Sequence, residues 1–298
     1  IATVHYYYER NAELCTATEY NFQQLGAENI TVSNSDVTAN NCAVLKDLSQ
    51  KNVSLVYLDP ARRTATGDKA ILLQDYEPNV IELTEQLFAI SRYTLVKVSP
   101  MADIKLNLKL LPNTKAVHIV SVDNECKELL LVLNSSCFTT VTTHCVNFLK
   151  DGGTQVFSFT QDEEDFAETR YSSEVGKYLY EPNASVQKAG CPKSLSKYHA
   201  NKLHPNSNLY TSYEHAHHFP GRIFEVVEVL GFSKADIKRV HAMQKANITV
   251  RNFPESVQLL RKRLKLSDGG DNYIFATTLA GGEKVLVLCK KNVKYTAY

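Results

Sequence analysis

The chain has 298 residues, 44% of them hydrophobic and 22% charged, and a net charge of +1, which is typical of a soluble globular protein. Its length predicts two or three domains. No segment approaches the roughly 20 apolar residues of a membrane-spanning helix and no signal peptide opens the chain, so we expect neither a membrane protein nor an exported one. The seven cysteines form no C-x-x-C pair, which predicts reduced thiols and a cytoplasmic location.

Charge is distributed unevenly along the sequence. Residues 234–298 contain 13 Lys and Arg against five Asp and Glu, a net charge of +8, whereas the residues before them carry −7. A basic segment on an acidic body indicates a polyanionic partner. The alternative is a set of helix faces whose charges only contact solvent. The sequence carries no signal for an oligomeric state.

Short apolar runs alternate with helical periodicity in the first half of the chain. The predicted strands are residues 4–8, 30–32, 53–58, 94–98, 116–122 and 128–133, and the predicted helices are residues 11–25, 41–48 and 79–90. Asn11 is the expected N-cap of the first helix. The strand at residues 53–58 is strongly apolar, as in strands that are buried on both faces of a sheet. The alternation predicts an α/β fold with a parallel, doubly wound sheet.

In the second half of the chain, the hydrophobic periodicity first weakens and then returns. Residues 151–232 have weak periodicity and many turn residues, which predicts a small α+β domain. Clear patterns return after residue 232, with helices at 234–244 and 256–264, a strand at 247–250, and a hairpin of strands at 273–277 and 284–289. We therefore predict three domains, at residues 1–150, 151–232 and 233–298.

Three acidic residues follow predicted strands of the first domain. Glu9 and Asp59 come directly after their strands, and Asp36 follows the second strand closely. In an open parallel sheet, ligands bind beyond the carboxyl ends of the strands, and a carboxylate there can accept hydrogen bonds from both hydroxyls of a ribose. The spacing therefore predicts a nucleoside-binding edge. The alternative is that these are ordinary surface acids.

Four segments resemble one family: Tyr8-Glu-Arg-Asn11, Asp59-Pro-Ala-Arg-Arg63, Ala246-Asn-Ile-Thr-Val-Arg-Asn-Phe-Pro254 and Leu260-Arg-Lys-Arg-Leu264. The first two are similar to motifs of class I S-adenosylmethionine-dependent methyltransferases. The whole chain resembles bacterial methyltransferase-like proteins with a ferredoxin-like middle domain and a THUMP-like C-terminal domain. This resemblance implies a Rossmann-like sheet, S-adenosylmethionine as cofactor, cofactor contacts at Glu9, Arg10, Asn11, Asp36 and Val37, and a catalytic loop with Asp59, Pro60, Arg62 and Arg63.

The glycine-rich loop of that fold does not occur before Glu9. We expect it to lie upstream of Ile1, so that the methyltransferase sheet in this chain is N-terminally truncated. Without the backbone contacts of that loop, we expect the chain to bind S-adenosylmethionine weakly or not at all and to be inactive as a fragment, while the parent protein methylates.

The loop after the third predicted strand indicates which kind of atom would accept the methyl group. Enzymes that methylate base nitrogens have an Asp or Asn, two prolines and an aromatic residue, whereas Ala61 and Arg62 follow Asp59-Pro60 here. The sequence is closer to the Asp-Pro-Pro-Arg loops of some RNA methyltransferases, and base stacking would need the Arg62 guanidinium or another residue. The next strand ends Lys97-Val-Ser-Pro100 without a cysteine, which disfavours carbon-5 chemistry. The alternative is that Pro60 turns the chain and both arginines form surface ion pairs.

The basic residues of the third domain are the predicted RNA-binding set. They are Lys245, Arg251, Arg261, Lys262 and Arg263, together with Lys265. Lysine and arginine on one helix can contact phosphates without sequence preference, and THUMP domains are associated with RNA substrates, here tRNA or rRNA. The alternative is an amphipathic helix whose leucines pack inward while its charges contact solvent.

We predict no metal site, because His215, His217 and His218 have no suitably spaced Cys, Asp or Glu partners. The leading hypothesis is methyl transfer from S-adenosylmethionine to a base of RNA. A second hypothesis is an RNA-binding protein on a catalytically silent methyltransferase scaffold. A third, a nicotinamide-dependent dehydrogenase, fits the alternation and Glu9 but not the Asp59-Pro60 loop.

Overall fold

A computed structural model describes residues 4–38, 42–62, 73–136 and 140–291. The chain forms two compact units, one of residues 1–118 with 128–141 and one of residues 119–127 with 142–298. No helix in the described ranges is long and apolar enough to cross a membrane.

The first unit opens with a β-α-β element. Strands β1 (His5–Glu9) and β2 (Ile30–Asn34) pair in parallel, and helix α1 (Ala12–Gln24) connects them. The Asn11 side chain accepts hydrogen bonds from the backbone N–H groups of Glu13 and Leu14, which confirms the predicted N-cap. A parallel pair needs such a crossover connection, and α1 provides it.

The other elements with residues in the first unit are helices α2 (Cys42–Ser49), α3 (Val80–Ile90) and α4 (Ile104–Leu110), and strands β3 (Val56–Leu58), β4 (Ala61–Arg62), β5 (Tyr76–Glu77), β6 (Tyr93–Val98), β7 (Thr114–Val122) and β8 (Glu125–Asn134). Strands β7 and β8 each include residues of both units. Strand β3 pairs with β6 in parallel, and β6 pairs with β8 in antiparallel orientation. Asp123 and Asn124 both have positive φ between β7 and β8, as in the tight turns that join antiparallel strands.

The sheet differs from the prediction in two respects. Strands β1 and β2 form a separate two-stranded sheet, because neither of them pairs with any other described strand. The prediction that residues 53–58 form a strand buried on both faces is wrong, since only Val56–Leu58 is a strand and the side chains of Leu55 and Tyr57 are 51% and 53% exposed. One face of β3 packs on the core of α2 and α3 with Leu45, Leu83 and Leu87, while Tyr57 points away from it.

The second unit contains strands β9 (Thr142–Phe148), β10 (Thr154–Thr160), β11 (Tyr178–Pro182), β12 (Asn201–Lys202), β13 (Tyr210–Ser212), β14 (Gly221–Leu230), β15 (Asn247–Arg251), β16 (Asn272–Thr278) and β17 (Lys284–Lys291), and helices α5 (Gln161–Phe166), α6 (Ala184–Ala189), α7 (Lys234–His241) and α8 (Val257–Leu264). Seven strands form one sheet in the order β12-β13-β11-β14-β17-β16-β15. Strands β15 and β16 are parallel, and the other neighbouring strands in this sheet pair in antiparallel orientation.

Alternating side chains of β16 and β17 enter two different cores. Ile274 and Leu286 pack with Leu260 and Leu264 of α8, whereas Phe275 packs in the cluster on the opposite face. Strand side chains alternate between faces, so this sheet is buried on both sides. The predicted helices, strand and hairpin of the C-terminal region are confirmed, with small shifts of their ends.

Candidate functional site

The end of β1 carries the first group of predicted site residues. Glu9 lies opposite Asn34 in the β1–β2 ladder, and Asn34 Nδ2 donates to the carbonyl oxygens of Glu9 and Arg10 at 3.0 Å each. Glu9 Oε1 accepts a hydrogen bond from Asn11 N at 2.8 Å. The Glu9 carboxylate therefore lies at the N-terminus of α1, where the partial positive charge of the helix stabilises an anion.

Arg10 connects this strand end to a second element. Its Nη1 lies 2.9 Å from Glu77 Oε2, and the hydrogen bond with Glu77 raises the pKa of Arg10, with Asp36 and Glu9 near enough to act in the same direction. Glu77 belongs to β5 and faces Ala61 of β4, two residues after Asp59. The structure thus joins the Glu9–Asp36 end to the predicted catalytic loop.

Asp59 makes an ion pair with Lys97. Leu58 of β3 faces Val96 of β6 in the parallel register, so the next residues on both strands are neighbours, and Lys97 Nζ lies 2.5 Å from Asp59 Oδ2. The hydrogen bond with Asp59 raises the pKa of Lys97 above its usual 10.5. The Asp59 side chain remains 51% exposed, so one carboxylate edge is open to a ligand.

The other predicted residues of the first unit lie in varied surroundings. Pro60 is buried, and Arg62 pairs through its backbone with Tyr76. Val37 packs on the core cluster of α2 and α3 rather than at the strand ends. Arg63 lies outside the described residues.

Two residues of this site were missed by sequence reasoning. Lys97 is a charged residue within the otherwise apolar strand Tyr93–Val98, and that interruption was a usable signal. Glu77 stands in a short segment without periodicity, so its ion pair with Arg10 is a product of tertiary structure.

The predicted RNA-binding arginines all pair with acidic residues. Arg261 Nη2 lies 2.6 Å from Asp268 Oδ1, and Arg263 pairs with Glu255 and lies over the Phe232 ring, 4.6 Å from its centroid. Arg251 pairs with Glu181 at 2.7 Å. Each guanidinium therefore already has an anionic partner within the protein.

Glu181 organises the centre of the second unit. Its side chain is only 1% exposed, and its two oxygens accept hydrogen bonds from two arginines: Oε1 from Arg251, and Oε2 from Arg222, whose Nε lies at 2.9 Å. A buried carboxylate is stable only where such donors replace water. These ion pairs connect β11 to β14 and β15, so Arg251 is a structural residue at this position.

Three predicted lysines form a contrasting group, which we name the lysine cluster: Lys245, Lys262 and Lys265. All three are exposed, and no ion pair involves them within the described part of the chain. Lys265 N donates to the Lys262 carbonyl oxygen at 3.3 Å, and Lys245 forms a β-bridge with Ser267. The backbones of these three lysines therefore lie near one another at the end of α8.

The histidines at residues 215–218 lie close together, and the ring centroids of His215 and His217 are 4.5 Å apart. No group of three or more His, Cys, Asp or Glu side chains in the described ranges could hold a metal ion.

Comparisons with known proteins agree with this architecture. A family model described as a ferredoxin-like domain matches residues 178–220, and one described as THUMP domain-like matches residues 221–291, which confirms that both predicted domain types are present. No curated protein matches the chain. The crystal structure of a protein from Porphyromonas gingivalis W83, provisionally described as a methyltransferase, is 34% identical and has a TM-score of 0.87, with 97% of this chain and 72% of that chain covered.

Replacing Glu181 with alanine leaves two guanidinium groups without their shared carboxylate. We expect the Glu181→Ala variant to lose about 3 kcal/mol of unfolding free energy, measured by urea denaturation. The control is Glu228→Ala, which removes the partner of Arg239 in a surface pair and should cost less than about 1 kcal/mol. Equal losses in the two variants would contradict the structural role of Glu181.

The Asp59–Lys97 ion pair predicts how the pKa of Lys97 responds to removal of the Asp59 charge. Because Asp59 raises the pKa of Lys97, the pair contributes stability below pH 10.5 and loses it as pH rises through the higher folded-state value. In the Asp59→Asn variant, the Lys97 pKa should fall toward 10.5, as followed by the ¹³Cε chemical shift. An unchanged midpoint would show that Asp59 does not interact with Lys97 in solution.

Proposed function

This chain belongs to the same family as the Porphyromonas gingivalis protein, and on that basis we propose that it is a methyltransferase that acts on RNA. We further propose that the methyl donor is S-adenosylmethionine and that the first unit is a Rossmann-like methyltransferase sheet. The parallel β1-α1-β2 element and the parallel β3–β6 pair, followed by antiparallel β8, support this fold.

The observation that carries the proposal is the connection through Arg10. The Arg10–Glu77 ion pair joins the end of β1, with Glu9 and Asp36, to the residues that follow Asp59. Carboxylates beyond the carboxyl ends of parallel strands are where a nucleoside and its reaction partner meet in α/β proteins. An arrangement of unrelated surface acids would not require this link.

The residues at the end of β1 fit the cofactor. Glu9 uses one oxygen to accept from Asn11 N and retains acceptor capacity for the hydroxyls of a ribose. Asp36, close to the Arg10 guanidinium, would contact the adenine end. Bound S-adenosylmethionine would supply an electrophilic methyl group.

Asp59 would act on the substrate base. Its exposed carboxylate would accept a hydrogen bond from an exocyclic amine, and so orient the nitrogen that receives the methyl group. Lys97 would hold that carboxylate in place through their ion pair. Catalysis by this chain's residues would come mainly from alignment of the reacting groups.

The lysine cluster supports the RNA part of the proposal. Its ammonium groups are unengaged by acids among the described residues, whereas Arg251, Arg261 and Arg263 are paired. Phosphate contacts need cations that are accessible and not already neutralised. The same observation favours a second candidate function, RNA binding on a silent methyltransferase scaffold, in which RNA binds and no methyl group is transferred.

Activity should depend on Asp59. In the full-length protein, with S-adenosyl-[methyl-³H]methionine and total RNA, the Asp59→Ala variant should lose at least about 100-fold in rate, because the acceptor is no longer oriented. Its cofactor affinity, measured by calorimetry, should change little. Asp47→Ala, which removes an exposed acid paired with Lys51, is the matched control and should retain activity. Undiminished methylation by Asp59→Ala would exclude this role, and binding of RNA without methylation by the wild type would favour the silent scaffold.

RNA affinity should depend on the lysine cluster. The triple variant Lys245→Gln, Lys262→Gln, Lys265→Gln should bind RNA more weakly, with the slope of log K against log salt reduced by about 0.7 to 0.9 per lost phosphate contact. A control with the same charge change replaces the exposed residues Lys46, Lys105 and Lys109 with glutamine. Equal weakening in both triple variants would mean that net charge, rather than this cluster, determines binding.

A further inference from the structure

The second unit contains a cleft that the proposed methyl transfer does not use. It has a volume of about 490 Å³, and the residues that line it include Lys197, Tyr198, His199, Tyr213, His215 and His217. We name it the histidine cleft. Its volume lies within the range of small-molecule sites, about 300 to 1,000 Å³.

One side of the histidine cleft carries cationic and imidazole groups. Lys197 is exposed, and its Nζ lies 4.4 Å from the centroid of the Phe157 ring, a cation–π contact that holds the ammonium group at the rim. His199, two residues later, has a φ of 56° in the left-handed region. This conformation ends the 3-10 helix Ser194–Tyr198, and His199 N donates to the Ser196 carbonyl oxygen. This side can accept a single phosphate group.

Tyrosine rings also line the histidine cleft. Tyr213 is 64% exposed, and its hydroxyl donates a hydrogen bond of 2.6 Å to Glu174 Oε1, which fixes the direction of the ring. A large exposed ring that is held in one orientation can stack on a planar heterocycle without much loss of conformational freedom. Tyr198 adds a second ring to the lining.

Residues 214–216 form a preformed wall of the histidine cleft. The buried hydroxyl of Tyr180 accepts a hydrogen bond from Ala216 N at 2.9 Å and donates to the Glu214 carbonyl oxygen at 3.1 Å. These bonds anchor residues 214–216 to β11. A ligand therefore meets a wall that requires little ordering on binding.

His215 gives the wall a neutral polar group. Its ring stands edge-on to Tyr178, with centroids 5.1 Å apart, and burial lowers its pKa, with a smaller contribution from His217. Its Nδ1 is buried and has no hydrogen-bond partner among the described residues. Buried polar atoms are rarely left unpaired, so this nitrogen is an unused hydrogen-bonding atom in the wall.

The acidic residues nearby limit the size of the anion. Glu214 lines the histidine cleft, and Glu174 lies beside Tyr213. Residues 151–233 as a whole contain seven Lys and Arg against 11 Asp and Glu. This surrounding disfavours contact with several phosphates at once, whereas one phosphate can lie near Lys197, and the Glu214 carboxylate could accept hydrogen bonds from ribose hydroxyls.

We propose that the histidine cleft binds a phosphorylated nucleoside with an unpaired base, which stacks on Tyr213 while Lys197 and His199 contact the phosphate. The source is either a free mononucleotide or an unpaired nucleotide of an RNA. This site is independent of the proposed methyl transfer, because it uses none of the residues of the first unit or of the lysine cluster.

Calorimetric titration of the full chain with AMP, UMP, inorganic phosphate, a single-stranded RNA octamer and an RNA duplex tests the proposal. The Kd for AMP or UMP, or for the octamer, should be tighter than about 1 mM. Lys197→Gln and Tyr213→Ala should each weaken binding by about tenfold, whereas Tyr213→Phe should retain it because the ring is kept. Lys150→Gln, an exposed lysine outside the cleft, and the lysine-cluster triple variant should bind the mononucleotide as the wild type does.

Each outcome decides the proposal. Binding of mononucleotides with this variant pattern supports a free-nucleotide site, and binding of the octamer alone with the same pattern supports an unpaired nucleotide of RNA. The proposal is overturned by absence of binding, by binding that Lys197→Gln and Tyr213→Ala leave unchanged, or by inorganic phosphate that binds as tightly as AMP. Preference for the duplex also contradicts it. Circular dichroism of each variant verifies folding.

Discussion

The candidate site of the first unit depends on the ion pair between Arg10 and Glu77. This ion pair connects the end of β1 to the segment that follows β3. Arg10 follows β1, and Glu77 lies in the strand that pairs with the residues after Asp59. The Arg10 side chain is half exposed, so solvent screens the attraction and its contribution to stability is small. Its importance is positional, because it holds together two groups of carboxylates that the sequence places 50 residues apart.

Positively charged residues of the second unit have two roles: some form ion pairs within the protein, and others remain available to a partner. Arg222 and Arg251 share the buried carboxylate of Glu181, and Arg239, Arg261 and Arg263 each pair with an acidic residue. The planar guanidinium suits this role, because it presents several donors in fixed directions and is weakly hydrated. The lysine cluster remains at the surface with its charges uncompensated by described residues. A basic segment therefore contains both structural cations and cations available to a partner, and total charge does not distinguish them.

The two candidate ligand sites of this unit differ in chemistry. The lysine cluster presents point charges, and no described aromatic ring makes a cation–π contact with them, which suits a phosphate backbone of any sequence. The histidine cleft combines one ammonium group, imidazoles and oriented tyrosine rings within an acidic surrounding, which suits one nucleotide at a time. Each site can therefore be altered without changing the chemistry of the other.

The sequence alone determined the local elements and the domain types. Asn11 caps α1 and the Gly281-Gly282 turn joins β16 to β17, because capping and turn formation depend on neighbouring residues. The ferredoxin-like and THUMP-like domains were likewise predictable from their motifs. Tertiary structure decided which charges meet: it paired Arg10 with Glu77, Asp59 with Lys97, and Arg251 with Glu181. It also exposed Leu55 and Tyr57, which the apolar run had predicted to be buried. Periodicity reports which side of an element is apolar, whereas partners and burial depend on elements distant in sequence, so only the folded chain specifies them.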